Sequence, residues 1–221
     1  MSYNVAIDGP AGAGKSTIAK AVAKKMNLIY VDTGAMYRAM ALFMLREGIS
    51  AEDAAAISAK CREADISIGH ENGEQVVYLN GENVNSYLRT EEVGNMASAT
   101  SVQPAVRVKL VELQQALAAR SDCIMDGRDI GTCVLPDARV KIYLTASSAV
   151  RAKRRYDELV AKGENCDLAR IQADIEERDY RDMHRQHSPL KQAEDAILVD
   201  SSDMTIDEVI ARIIEICESA K

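Results

Sequence analysis

Gly9-Pro10-Ala11-Gly12-Ala13-Gly14-Lys15-Ser16 decides the fold. The stretch satisfies G-x-x-x-x-G-K-[ST] at every fixed position. A short apolar run, Val5-Ala6-Ile7, precedes it and ends at Asp8. Behind it, Ile18 to Met26 carries small and apolar residues at helical spacing, with Lys20, Lys24 and Lys25 as the polar face. Strand, glycine loop and helix thus follow in the order that turns successive backbone N–H groups onto a phosphate, helped by the positive end of the helix. Lys15 can reach β- and γ-phosphates, and the Ser16 hydroxyl can ligate Mg2+. Gly9, Pro10, Ala11, Gly12, Ala13, Gly14, Lys15 and Ser16 are therefore the expected site of a nucleoside triphosphate with Mg2+. The loop leaves open what is done with the triphosphate.

Outward from the loop, Leu28 to Val31 is a second short apolar run, ending at Asp32, and Ala35 to Glu47 reads as a helix stopped by Gly48. Strand and helix in alternation predict a parallel α/β sheet. The pattern breaks over about 62–98, where Ile66-Ser67-Ile68 and Val76-Val77-Tyr78-Leu79 read as strands with turn dipeptides at Asn72-Gly73 and Asn80-Gly81. A small antiparallel insertion is expected there. Helical spacing resumes from Pro104 to Leu117. Cys123 to Met125, Val140 to Leu144 and Ile197 to Val199 are further strands, the first ending at Asp126 and the last at Asp200. Helices are expected at 148–161 and 167–183, and a last one opens with a capping box, Thr205 to Glu208.

The 221 residues suit one domain, 1–221, with insertions. Net charge is -7, with eight Tyr, one Phe and no Trp, so both the basic balance and the stacking rings of a general nucleic-acid groove are missing. The charge is uneven. Residues 47–95 carry -7 and residues 192–221 carry -6, so the remainder is +6 and holds every charged phosphate-binding candidate named below. Five cysteines at 61, 123, 133, 166 and 217 form no C-x-x-C pair, which fits reduced thiols in a cytoplasm. No apolar run approaches the ~18 residues of a membrane span. No basic segment leads into a long apolar stretch at the N-terminus, so no signal peptide is expected.

A GTPase would carry N-K-x-D to read guanine, and the motif is absent. The chain offers instead a second set of anion-binding groups: Arg38, Arg128, the trio Arg151, Arg154 and Arg155, and the group Arg178, Arg181 and Arg185 with Asp182. Positions 178, 181, 182 and 185 are spaced to share one helix face. Taken alone they read as a solvated, self-paired face. Beside a triphosphate loop they read as cations for an acceptor phosphate and for the moving phosphoryl group. A nucleotide-binding regulatory module without turnover remains the alternative at this point.

Four segments carry a resemblance: Gly9 to Ser16, Asp32-Thr33-Gly34-Ala35-Met36-Tyr37-Arg38, Asp126-Gly127-Arg128-Asp129-Ile130-Gly131-Thr132 and Glu177-Arg178-Asp179-Tyr180-Arg181-Asp182. In order and over essentially the whole chain they resemble bacterial cytidylate kinases. The resemblance implies a P-loop kinase fold, a parallel core sheet flanked by helices, with the antiparallel insertion over the monophosphate and a short helical lid about 148–167. It implies Mg-ATP-dependent phosphorylation of CMP and dCMP in pyrimidine nucleotide metabolism; with the charge, cysteine and hydropathy readings above, the expectation is a cytoplasmic monomer whose partners are small nucleotides, not nucleic acid or a membrane.

By position, the resemblance implies that Gly9 to Thr17 hold the ATP phosphates, that Lys15 acts on the transferred group and that Thr33 and Arg38 meet the monophosphate. Many relatives have Ser where this chain has Thr33. Ser98, Arg107 and Asp129 are implied readers of cytosine, which presents an N4 donor beside N3 and O2 acceptors. Arg178 and Asp182 are implied ribose contacts, and Arg178 and Arg185 lie near the acceptor phosphate. Arg154 and Arg155 are the implied lid arginines, and Arg128 joins the catalytic cations. Asp126 either orients Mg2+ through water or holds Arg128. An acceptor that is already an anion requires no general base, so His70, His184 and His187 are expected to be surface residues.

Overall fold

The computed structural model describes residues 2–71 and 74–220. Asn72-Gly73 lies outside the described residues. In chain order the elements are β1 (Asn4–Asp8), α1 (Lys15–Met26), β2 (Ile29–Asp32), α2 (Thr33–Arg46), α3 (Ala54–Lys60), β3 (Ile66–Glu71), β4 (Glu74–Leu79), β5 (Glu82–Asn83), α4 (Glu91–Thr100), α5 (Pro104–Ala118), β6 (Cys123–Gly127), a π-type turn (Ile130–Val134), β7 (Val140–Thr145), α6 (Ser148–Ala161), α7 (Leu168–His184), β8 (Ile197–Asp200) and α8 (Ile206–Ser219). They divide into two compact units, Met1–Tyr30 with Asp122–Lys221, and Val31–Ser121.

The first unit carries a five-stranded sheet in the order β2-β6-β1-β7-β8. Strand β1 is parallel to both neighbours, with Val5 opposite Ile124 and Val140, and Ile7 opposite Asp126 and Ile142. Strand β8 joins in parallel, Leu144 facing Val199. Val5, Ala6 and Ile7 are fully buried, as a central strand covered on both faces must be. Ile18, Ala19, Val22 and Ala23 of α1 pack with Ile124, Ile142 and Leu144 and with Val209, Ile210, Ile213, Ile216 and Cys217 of α8. The capping box of α8 forms as its sequence predicts, Thr205 and Glu208 exchanging hydrogen bonds with each other's backbone.

The second unit is built on α2. The Asp32 carboxylate accepts the Ala35 N–H at 3.0 Å and so caps the helix start. Gly48, at φ +69°, ends it, with the Gly48 N–H on the Leu45 carbonyl and the Ile49 N–H on that of Met44. Antiparallel β3, β4 and β5 form a separate three-stranded sheet, and Asn80 and Gly81, both at positive φ, make the second turn as expected. Met36, Met40, Phe43 and Met44 of α2 share one core with Ile57, Val77, Leu79, Met96 and Leu110. Helices α3 and α4 and strand β5 are additions to the sequence reading.

None of the five cysteines is bridged, and Cys61, Cys123 and Cys217 are buried. Among the described residues, no helix is long and apolar enough to cross a membrane.

Candidate active site

In the first unit, the loop between β1 and α1 takes a path that only glycine permits. A Cβ on Gly9 would sit 1.9 Å from the Leu144 carbonyl oxygen, and Gly12 and Gly14 have φ of +75° and +85°. Lys15 begins α1, is 6 % exposed, and donates from Nζ to the Pro10 carbonyl at 2.7 Å. Burial drives its ammonium well below the usual lysine range, and the nearby Arg128 charge adds to this against Asp126, Asp8 and Asp182. A cation held so uncomfortably is poised to accept anionic company.

Ser16 follows with its Oγ donating to Asp126 Oδ2 at 2.7 Å, while the Tyr30 hydroxyl donates to Asp126 Oδ1 at 3.1 Å. Asp126 stands at the carboxyl end of β6, where open α/β sheets bind ligands. A serine hydroxyl beside a buried carboxylate is a hard-oxygen donor set that suits Mg2+, an ion that takes one or two protein oxygens and completes its shell with phosphates and water.

Past Asp126, Arg128 Nε donates to Asp182 at 2.9 Å. Asp129 is 5 % exposed, with Arg185 Nη2 at 3.6 Å from its Oδ1. The sequence spacing predicts one helical face for 178, 181, 182 and 185, and the structure departs from it. Helix α7 ends at His184, and Arg185 is an extended cap whose Nε donates to the Ser188 carbonyl at 2.6 Å. The chain folds back at Ser188, φ +48°, with the Leu190 N–H on the Asp182 carbonyl. Arg178 and Arg181 remain on the helix and are exposed, Arg181 lying 3.7 Å from Glu177.

Helix α6 presents its arginines in three ways. Arg155 is exposed and paired with Glu158. Arg154 is half-buried and donates to the Ser201 carbonyl at 2.7 Å and to its hydroxyl at 3.3 Å. Arg151 is buried, with its guanidinium on both oxygens of Asp179 while Nη1 also donates to the Ala11 carbonyl at 2.8 Å and Nε to that of Ala146 at 2.9 Å. It thereby ties α6 and α7 to the glycine loop. The sequence shows Arg151 only as one of a cationic trio and Asp179 only as one acid in a charged run.

In the second unit, Thr33 is buried as the first residue of α2. The Arg38 side chain returns over that first turn, with Nη1 at 3.3 Å from where a Gly34 Cβ would stand. Asp32, which caps the helix, also accepts from Arg89 at 2.9 Å. Gln75 of β4 brackets its peptide: Oε1 accepts the Asp32 N–H at 2.7 Å, and Nε2 donates to the Asp32 carbonyl at 3.3 Å. A buried glutamine in an insertion strand gives no sequence signal of this. Arg107 is buried on α5 with its guanidinium 6.0 Å from the Tyr37 ring centre, and Ser98 is exposed on α4. His70, His184 and His187 are exposed, as expected, and His184 stacks on Tyr180.

A glycine loop, a buried lysine and a serine–aspartate oxygen pair, all gathered where parallel strands end, are how a P-loop phosphotransferase is made. The sequence model of the cytidylate kinase family matches residues 5–219. Cytidylate kinases of Lactobacillus johnsonii and Listeria innocua are 51 % and 50 % identical to the chain, each over 97 % of it and over 93 % and 95 % of the relative. That of Geobacter sp. is 47 % identical over 93 % of the chain and 88 % of the relative. The chain belongs to the cytidylate kinase family, nucleoside monophosphate kinases of the transferase class. Solved structures supply the fold alone: an uncharacterized protein of Eubacterium ventriosum aligns with TM-score 0.55 at 14 % identity, covering 99 % of both chains. A gluconokinase of Sinorhizobium meliloti aligns with TM-score 0.51 at 12 % identity, covering 99 % of this chain and 94 % of its own.

Proposed function

We propose that the protein transfers the γ-phosphoryl group of ATP to CMP and dCMP, giving ADP and the diphosphates, as one functional domain over 1–221. An oxygen of the acceptor monophosphate attacks the γ-phosphorus in line as the bond to the β–γ bridging oxygen breaks. Because the attacking oxygen belongs to an anion, catalysis consists of positioning and charge neutralisation. The Ser16–Asp126 hydrogen bond beside buried Lys15 carries the reading, since it joins a triphosphate cradle to a hard-cation donor pair.

On this reading the backbone of Gly9 to Thr17 holds the ATP phosphates and Lys15 neutralises the transferred group. Ser16 and, through water, Asp126 would hold Mg2+, which when bound supplies charge to the β- and γ-oxygens. Thr33 and Arg38 receive the monophosphate. Asp129 accepts the N4 amino group of cytosine, with Arg107 and Ser98 donating to N3 and O2, so that a base of the wrong pattern leaves buried polar groups unpaired. Asp182 and Arg178 meet the ribose, and Arg178 and Arg185 the acceptor phosphate. Arg128, Arg154 and Arg155 spread charge over the moving phosphoryl group. Residues 148–167 form the lid, which keeps water from ATP, and the insertion 62–98 covers the monophosphate. The protein works as a cytoplasmic monomer.

The test is ADP formation by the purified protein with CMP, dCMP, UMP and AMP as acceptors. Turnover with CMP and dCMP well above that with AMP is expected. Activity with AMP or UMP and none with CMP would sink the reading.

A further inference from the structure

Asp8 is a buried carboxylate that the mechanism above does not use. It ends β1, directly before the glycine loop, and is 5 % exposed. Its Oδ1 accepts the Ile130 N–H at 2.8 Å and its Oδ2 the Gly131 N–H at 2.7 Å. Those are the first two amides of the π-type turn after Asp129. The turn's internal bonds begin later, with the Cys133 and Val134 N–H groups on the Asp129 carbonyl and that of Leu135 on Ile130. Amides at the start of a helical turn have no partner within it. Here a side chain from 122 and 123 residues earlier supplies one for each.

A second observation shows how closely the two segments are fitted. A Cβ on Gly131 would stand 3.4 Å from Asp8 Oδ2 and 3.3 Å from Cδ of Lys141. Lys141 is itself buried on β7 and fixed at its far end, its Nζ donating to Asp195 at 2.7 and 3.0 Å. Glycine at 131 lets the turn settle onto the carboxylate. Asp129, the residue that starts this turn, has an irregular backbone at φ -147° and ψ 27°, so its direction depends on what anchors the amides behind it.

We infer that Asp8 is a positioning residue for acceptor choice: by holding the Ile130 and Gly131 amides it fixes the Asp129 carboxylate for the amino group of the acceptor base. The inference rests on the assignment of Asp129 to the cytosine N4 amino group. Asparagine at position 8 is the informative change. It keeps the shape and one acceptor oxygen but turns an NH2 group toward one of the two N–H donors, so one hydrogen bond is lost and one clash of donors is gained.

The experiment measures kcat and KM for CMP, UMP and ATP in the wild type, Asp8→Asn, Asp129→Asn and the double variant, with hydrogen exchange at the Ile130 and Gly131 amides. For Asp8→Asn we expect faster exchange at both amides, a KM for CMP raised on the order of ten- to a hundredfold, and a reduced preference for CMP over UMP, with the KM for ATP within about twofold. The double variant should lose no more preference than Asp129→Asn alone, as two residues acting in series require. Gly131→Ala should shift the CMP preference in the same direction by less, since its methyl would crowd neighbours at 3.3–3.4 Å while both hydrogen bonds to Asp8 remain. Equal losses with CMP and UMP, or a KM for ATP raised as much as that for CMP, would overturn the inference while leaving the Asp129 assignment standing. Unchanged preference in Asp129→Asn would overturn that assignment, and the inference with it.

Discussion

The Arg151 guanidinium spans both carboxylate oxygens of Asp179, Nη1 to Oδ1 at 3.2 Å and Nη2 to Oδ2 at 2.5 Å, with the two side chains 5 % and 13 % exposed. Its remaining donors reach the carbonyls of Ala11 and Ala146, so one side chain satisfies acceptors on the glycine loop, on the approach to α6 and on α7. Removing Asp179 strands a buried cation. Asp179→Ala should destabilise the protein by about 3–5 kcal/mol in urea unfolding. Arg151→Lys keeps the charge and loses the fork, and should raise the KM for ATP through the Ala11 carbonyl more than that for CMP.

Lys15→Ala should suppress turnover on the order of a hundredfold or more with every acceptor, because the lysine serves the donor phosphates. The thermal midpoint should hold or rise, since the change deletes a buried cation whose charged form is disfavoured where it stands. Acceptor-dependent loss would contradict this role.

Gly9 and Gly14 separate steric from conformational demand. Gly9→Ala drives a methyl into the Leu144 carbonyl and should prevent the loop from forming, read as loss of ATP binding together with a large fall in stability. Gly14→Ala meets nothing within 4 Å, and its cost is the positive φ alone, about 1–2 kcal/mol.

Burial lifts the Asp8 carboxyl to about 6 from its ordinary 3.8; the Asp129 charge adds to this, while the two amides and Lys15 oppose it. The folded protein therefore holds a proton that the unfolded chain has lost between roughly pH 4 and 6. The resulting stability is full below pH 4 and lost as pH rises through 6, on the order of 3 kcal/mol. Asp8→Asn removes this dependence. Its thermal midpoint relative to wild type should be more favourable at pH 7 than at pH 5, whatever the lost hydrogen bond costs at both.

Gln75→Ala should open the bracket on the Asp32 peptide and raise the KM for CMP with that for ATP unchanged. Arg89→Ala, the removal of an exposed partner of the same Asp32, should do little, since surface pairs contribute about 0–1 kcal/mol.

What the sequence discloses is local. The glycine loop, the Gly48 stop, the Asn80-Gly81 turn and the Thr205 capping box each depend on residues within a few positions of one another, and each forms as read. Helix α4 was hidden because Gly94, Asn95, Ser98 and Thr100 favour other conformations; its Thr90 cap and its packing on α2 impose the helix. The π-type turn was hidden because its anchor is Asp8, far away in the chain. The acids of 176–182 read as a solvated face, and Glu176 and Glu177 are exposed; Asp182 and Asp179 differ because Arg128 and Arg151, far from them in the chain, lie against them.

The order of strands along the sheet has a consequence for synthesis. Strand β1 lies between β6 and β7, and Asn4 pairs with Cys123, 119 residues later. At about 5–20 residues per second, β1 leaves the ribosome on the order of ten seconds before either partner exists. During that wait the contiguous segment Val31–Ser121 is completed with its own core. The nascent chain thus carries an apolar strand and its glycine loop without neighbours while the middle of the protein folds, and the phosphate cradle can close only after β6 and β7 have been made.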